Sequence, residues 1–99
     1  MKVWVGSAWF SGNDPFMWVA IDRKYSKDKA RDIFKNLVKG NVEDMYEGTD
    51  WGISEEEFFR DIETSGPFLE ELEDIVSERD LKKVKRDIKS HGYAYLPNY

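Results

Sequence analysis

Two short runs, Lys2 to Phe10 and Phe16 to Ile21, constrain the architecture of this chain more than any other feature, because each is apolar on both of its sides. Both are built from β-branched, aromatic or small residues. Ser11-Gly12-Asn13-Asp14-Pro15 between them is turn chemistry, so a β-hairpin with a loop of about five residues is expected. Side chains of a strand alternate between faces. Val3, Val5, Ser7 and Trp9 therefore share one side, and Trp4, Gly6, Ala8 and Phe10 the other. In the second run Met17, Val19 and Ile21 oppose Phe16, Trp18 and Ala20. A hairpin of this kind leaves neither face to water. Either helices cover one face and a further helix or the C-terminal segment covers the other, or Trp4 and Trp18 stay partly exposed as an aromatic patch for a partner or a second copy.

The rest of the chain supplies helices. Ser26 is placed as an N-cap for a helix running to about Lys39, with Gly40 as its terminator, and Ala30, Ile33, Phe34, Leu37 and Val38 form one apolar stripe. Lys27, Lys29, Arg31, Lys35 and Lys39 read as its solvated face. Asn41 to Gly52 shows no helical or strand period and is expected as a loop or irregular strand, anchored by Val42, Met45, Tyr46 and Trp51, with room for a short strand at Met45–Tyr46. Ser54-Glu55-Glu56-Glu57 is a capping box, with Ile53 and Phe58 at staple spacing. Phe58, Phe59 and Ile62 face inward in the helix it starts. Gly66-Pro67 is expected to stop that helix and begin a third, with Phe68, Leu69, Leu72, Ile75 and Val76 as its stripe. Ser77 or Asp80 caps a final helix that buries Leu81, Val84 and Ile88 and ends at His91-Gly92. Tyr93 to Leu96 alternates as a last strand suited to the hairpin edge. The expected fold class is α+β: an N-terminal antiparallel hairpin, with a possible third strand from the C-terminal segment, packed against three to four short amphipathic helices.

At 99 residues the chain supports one core, so a single domain, 1–99, is expected. Aromatic content of 15% is too rich for a disordered acidic tail. No apolar run approaches the roughly 20 residues of a membrane span, and no signal-peptide pattern is present, so a cytoplasmic location is the expectation. Zero cysteines exclude disulfides, thiolate nucleophiles and Cys-type zinc sites.

The formal charge of −5 hides a strong segregation. Glu43 to Asp80 holds fifteen carboxylates against only Arg60 and Arg79, while the segments before and after it are basic. Little else resembles chemistry. His91 is the only imidazole and sits at a helix C-terminus, where its protonated form suits the dipole. The glycines match neither Gly-rich phosphate fingerprint. A calcium loop starting at Asp44 would need a ligand where Tyr46 stands and a glycine where Thr49 stands. Glu57 and Asp61 share a helix face, as a carboxylate pair for hydrolysis or magnesium would, yet such pairs are common on acidic surfaces. No catalytic residue, metal ligand or cofactor is assigned.

Surface charge remains. Acidic residues in a helix's first turn complement its dipole, which accounts for Glu55, Glu56 and Glu70 but not for all fifteen. Carboxylates on two successive helices would form a continuous anionic wall, which steers a basic protein toward it and covers a site meant for phosphates. The expected function is a non-enzymatic, acidic protein-binding module. It would act as an inhibitor or sequestering protein on a nuclease-like or nucleic-acid-binding partner, in the manner of phage anti-defence or bacterial immunity proteins. Glu55, Glu56, Asp61, Glu63, Glu70, Glu71, Glu73 and Asp74 would present the charge, and Trp51 an apolar anchor. The order of a hairpin containing Phe16-Met17-Trp18, a helix, then Glu43-Asp44-Met45-Tyr46 and Asp50-Trp51 before a capped acidic helix resembles the first module of ArdA-type antirestriction proteins. The resemblance implies mimicry of DNA and assigns no residue a role. Two other readings stand beside it. In one, the basic helix Lys82 to Lys89 tracks nucleic acid while Tyr93, Tyr95 or the hairpin tryptophans stack on bases. In the other, acidic and basic helices of two copies meet in a homodimer. Neutralisation of the acidic segment by the chain's own lysines would remove the motive for all three.

Overall fold

The computed structural model describes residues 1–47 and 54–97, and only the backbone of Glu55 and Phe58. Strands β1 (Lys2–Phe10) and β2 (Pro15–Asp22) form the expected hairpin. Gly12 at φ 79° makes the turn and the Asn13 amide donates to the Phe10 carbonyl at 2.9 Å. A register shift between Ala8 and Trp9 leaves Trp9 opposite Pro15. That bulge carries Phe16 away from the side shared by Trp18 and Ala20 and onto Phe10, with ring centroids 5.2 Å apart.

Both faces of the hairpin are covered, as its two-sided apolarity demands. Helix α1 (Lys27–Glu47) lies over Trp4, Ala8, Met17, Val19 and Ile21. On the opposite face α3 (Leu72–Ile75) and α4 (Glu78–His91) pack Leu72, Val76, Val84 and Ile88 on Val3, Val5, Ala20 and Ala94. Trp4 and Trp18 are half-buried on opposite faces, so they do not form one patch. The Trp4 indole donates to the Tyr25 carbonyl at 3.0 Å.

Helix α1 corrects the expected stop at Gly40. The Ser26 hydroxyl accepts from the Lys29 amide at 3.1 Å, as an N-cap should, but the helix runs seven residues past Gly40. Ala30, Phe34, Val38 and Val42 recur every fourth residue and are all buried. A glycine inside a helix costs about 1 kcal/mol, less than the roughly 1.5–3 kcal/mol gained by burying Val42. The expected loop after residue 40 and the short strand at Met45–Tyr46 are therefore helix as far as Glu47, while 48–53 lie outside the described residues.

The larger correction is strand β3 (Ile62–Glu71), where two helical segments were expected to meet. It pairs antiparallel with β1 along nearly its whole length, from Phe10↔Ile62 to Lys2↔Glu71. Without it the outer amides and carbonyls of β1, which borders the buried residues Val3 to Ala8, would lack partners, a cost that outweighs local helix propensity. Gly66 and Pro67, read as helix punctuation, instead occupy the register shift opposite Val5–Ser7. An interrupted ladder is where a proline without an N–H is tolerated in a strand. Helix α2 (Glu55–Arg60) is consequently a short link, begun as expected by Ser54, whose hydroxyl accepts from the Glu57 amide at 3.2 Å. The Ile53–Phe58 staple falls outside the described side chains.

The C-terminal end follows the expectation. Gly92 at φ 83° terminates α4 and its amide donates to the Ile88 carbonyl. Strand β4 (Tyr93–Tyr95) then pairs with β2. The result is an α+β fold with a four-stranded antiparallel sheet in the order β3-β1-β2-β4.

Candidate docking surface

Glu63, Glu70 and Glu71 share β3, one edge of the sheet, with two exposed apolar residues, Phe68 and Leu69. Register with β1 fixes where its side chains go. Glu63 lies opposite Trp9, Phe68 opposite Val5 and Glu70 opposite Val3, all on the α4 side; Ile62, Thr64 and Leu69 take the α1 side. Phe68 is 60% exposed and Leu69 43%, and neither belongs to a core cluster. Trp9 is also outside both clusters. It is half-buried and its indole donates to the Glu63 carboxylate at 2.7 Å, which fixes that carboxylate in place. Phe68 lies between Glu63 and Glu70 along the strand and Trp9 stands across from Glu63, and among the described residues neither belongs to the core cluster that α4 covers.

The carboxylates proposed from the sequence are distributed by the fold as follows. Glu63 and Glu70 are exposed on β3; Glu71, half-buried, closes the strand; Glu73 and Asp74 are exposed on the single turn of α3. Glu56 is exposed on α2, Asp61 is the C-cap of that helix, and Glu55 contributes its backbone to the first turn. Trp51 lies outside the described residues. The anionic strip is thus an edge strand with a turn at one end and a short helix at the other, rather than the two successive helices expected. Glu63 and Glu70 stand opposite Trp9 and Val3, a separation of about 20 Å at strand rise, well beyond a Debye length of about 8 Å at physiological salt. At that spacing they act as two local charges instead of one continuous field.

Internal neutralisation is partial. The Met1 amino group binds Glu73 at 2.7 Å and Glu71 at 3.2 Å, and Lys85 reaches Glu73 at 3.3 Å. Glu73 is accordingly lowered to about 2, first by its hydrogen bond with the amino terminus, then by a backbone amide and Lys85. The same contact raises the Met1 amino group. The other ion pairs are local, Arg31–Asp28, Lys39–Glu43, Arg79–Asp80 and Lys83–Asp87. Among the described residues Glu56, Asp61, Glu63, Glu70 and Asp74 have no cationic partner.

The basic helix invoked for nucleic acid is present as α4, where Lys82, Arg86 and Lys89 are exposed on one side, and Lys85 is turned toward Glu73. Among the described residues no group of three acidic or histidine side chains is arranged to hold a metal ion, and no helix is long and apolar enough to cross a membrane. Phe68 and Leu69 were missed as surface residues because they fit the apolar stripe of a helix, while Trp9 entered the sequence reading only as one of the hairpin tryptophans. The available signal was the β-branched and small run Ile62-Glu63-Thr64-Ser65, which suits a strand at least as well. Compared with known proteins, the chain matches no family model, no curated protein and no solved structure. The resemblance to the DNA-mimicking module rests on the order of sequence segments alone.

Proposed function

We propose that this protein is a non-enzymatic binding domain that docks a basic, extended segment of a partner protein along the outer edge of β3, which pairs with no further strand among the described residues. The observation that carries the reading is the exposure of Phe68 and Leu69 on an edge strand beside Trp9, Glu63 and Glu70. A sheet edge offers unpaired backbone donors and acceptors, so an added strand gains main-chain bonds, and alternate side chains supply specificity. Partner Lys or Arg side chains on the α4 side would meet Glu63 and Glu70, and an apolar residue between them would cover Phe68. Charge sets the rate of encounter; the desolvated aromatic sets the residence time. A partner whose basic segment ordinarily contacts phosphates would be blocked while bound, which is how such a domain would inhibit or sequester.

Self-pairing of this edge is disfavoured. A second copy aligned antiparallel about Gly66–Pro67 sets Glu63 against Glu70 of its neighbour, and like charges directly opposite destabilise a ladder.

Binding of a fluorescent ten-residue peptide that carries Arg, Val, Val and Arg at successive alternate positions, with Ser and Thr between them, tests the proposal, because alternate residues share the face that meets Glu63, Phe68 and Glu70. Saturable binding is expected. The double substitution Glu63→Gln/Glu70→Gln should slow association and flatten its salt dependence, and Phe68→Ala should speed dissociation on the order of tenfold, an anchor contribution of about 1.4 kcal/mol. Unchanged rates in both variants, or no saturable binding, would remove the edge from consideration.

A further inference from the structure

On the other side of the sheet, α1, α2 and β3 enclose a groove of about 640 Å³. Its floor is apolar. Phe34 and Val38 come from α1, Phe59 from α2 and Ile62 from β3. One rim is cationic: Arg31, Lys35 and Lys39 follow each other at four-residue intervals along α1, spanning about 12 Å of helix. These three read from the sequence as a plain solvated face. The structure places them instead along an open apolar slot, each one residue on from the buried Ala30, Phe34 and Val38.

The ion pairs of the rim are long and exposed. Arg31 approaches Asp28 only at 3.9 Å, and Lys39 approaches Glu43, at the end of the groove, only at 4.0 Å, both at the outer limit of ion pairing and both on exposed side chains. Lys35 makes no ion pair among the described residues. Alternation along β3 sends Ile62 and Thr64 into the groove and Glu63 to the opposite face, so the sheet stands between this cationic rim and the Glu63 side chain. Volume lies within the roughly 300–1,000 Å³ of small-ligand sites, and among the described residues the apolar floor is joined by the three cations, Glu43 and Thr64.

We propose that this groove binds an amphipathic anion, namely a free medium- or long-chain fatty carboxylate. Its chain lies on Phe34, Val38, Phe59 and Ile62, and its carboxylate pairs with Lys35, flanked by Arg31 and Lys39. Burying the chain supplies the affinity in proportion to the methylenes removed from water; the cations fix which end faces the solvent and discriminate against a neutral head group. The site is independent of the proposed peptide-docking function.

Calorimetric titration of the whole chain with dodecanoate, below its micelle-forming concentration and at neutral pH, tests the assignment, with dodecanol and butanoate as comparators. One dodecanoate should bind per chain. Dodecanol, with the same chain and no charge, should bind on the order of tenfold more weakly, and butanoate not measurably. The triple substitution Arg31→Gln/Lys35→Gln/Lys39→Gln changes only exposed side chains; it should weaken dodecanoate on the order of tenfold and leave dodecanol unaffected. Lys35→Gln alone should show part of the same loss, and Phe59→Ala should weaken both ligands. Glu63→Gln/Glu70→Gln/Phe68→Ala should bind dodecanoate like the unmodified chain, which separates this site from the β3 edge. Equal affinity for dodecanol and dodecanoate, an unaltered triple variant, or absence of saturable binding would overturn the proposal.

Discussion

Gly66 holds a position that no other residue fills. It sits at φ 90°, and a Cβ there would lie 2.5 Å from the Val5 carbonyl oxygen, which is backbone and cannot swing aside. Replacing it with Ala should cost about 2 kcal/mol or more, read as a lower denaturation midpoint, because left-handed strain adds to a clash in the β1–β3 ladder. A midpoint equal to that of the unmodified chain would show that β3 does not hold this register against β1. Gly6 is constrained differently: an added Cβ would meet the Phe34 ring at 2.7 Å, so the close approach of α1 to the sheet depends on that missing methyl. Glu73 carries the clearest titration. Its carboxyl is depressed from 4.5 to about 2, so its contribution to stability is present above the ordinary carboxylate value and is lost as pH falls through about 2. Carboxyl chemical shifts followed by NMR should show Glu73 still ionised at about pH 3, where an ordinary glutamate is largely protonated. A midpoint near 4.5 would mean that the Met1 and Lys85 contacts do not persist in solution.

Elements tell the same story through two conflicts between local and tertiary preference. In α1 the conflict is mild. An added Cβ at Gly40 would meet nothing within 4 Å, and the helix passes through this glycine only because Val42 is buried further on. Gly40→Ala should therefore stabilise by up to about 1 kcal/mol, seen as a higher thermal midpoint, since it restores helix propensity without a clash. Loss of stability would place the end of the helix at Lys39 after all. In β3 the conflict is stronger. Phe68 and Leu69 continue the stripe of Leu72, Ile75 and Val76 at helical spacing, yet the chain stays extended through Glu71 and turns only at Leu72. What decides it is β1, whose outer edge takes eight residue partners from β3. Extension also leaves Phe68 and Leu69 exposed, so the same pairing that completes the sheet creates the surface proposed for docking.

For the molecule as a whole, the sheet divides two charged surfaces. Glu63 and Glu70 of β3 face the α4 side, while the cationic rim of α1 lies across the sheet beside an apolar groove. Edge-to-edge self-association is opposed by Glu63 against Glu70, and sedimentation at physiological salt should return the monomer mass of 11.7 kDa. A concentration-dependent rise to twice that mass would make the β3 edge a self-interface. The hairpin with two apolar faces, the caps at Ser26 and Ser54, the Gly92 stop and the last strand were legible because each rests on alternation or capping chemistry within a few residues. Segregation of charge was legible too, as a matter of composition. Tertiary structure alone decided that residues 62–71 are a strand, that α1 continues past its glycine, that Trp9 and Phe68 share the α4 side outside its core cluster, and that Arg31, Lys35 and Lys39 border an apolar slot. The physical reason is common to all four. Each depends on unpaired backbone or apolar surface supplied by residues tens of positions away, and a window of neighbouring residues contains no record of that demand.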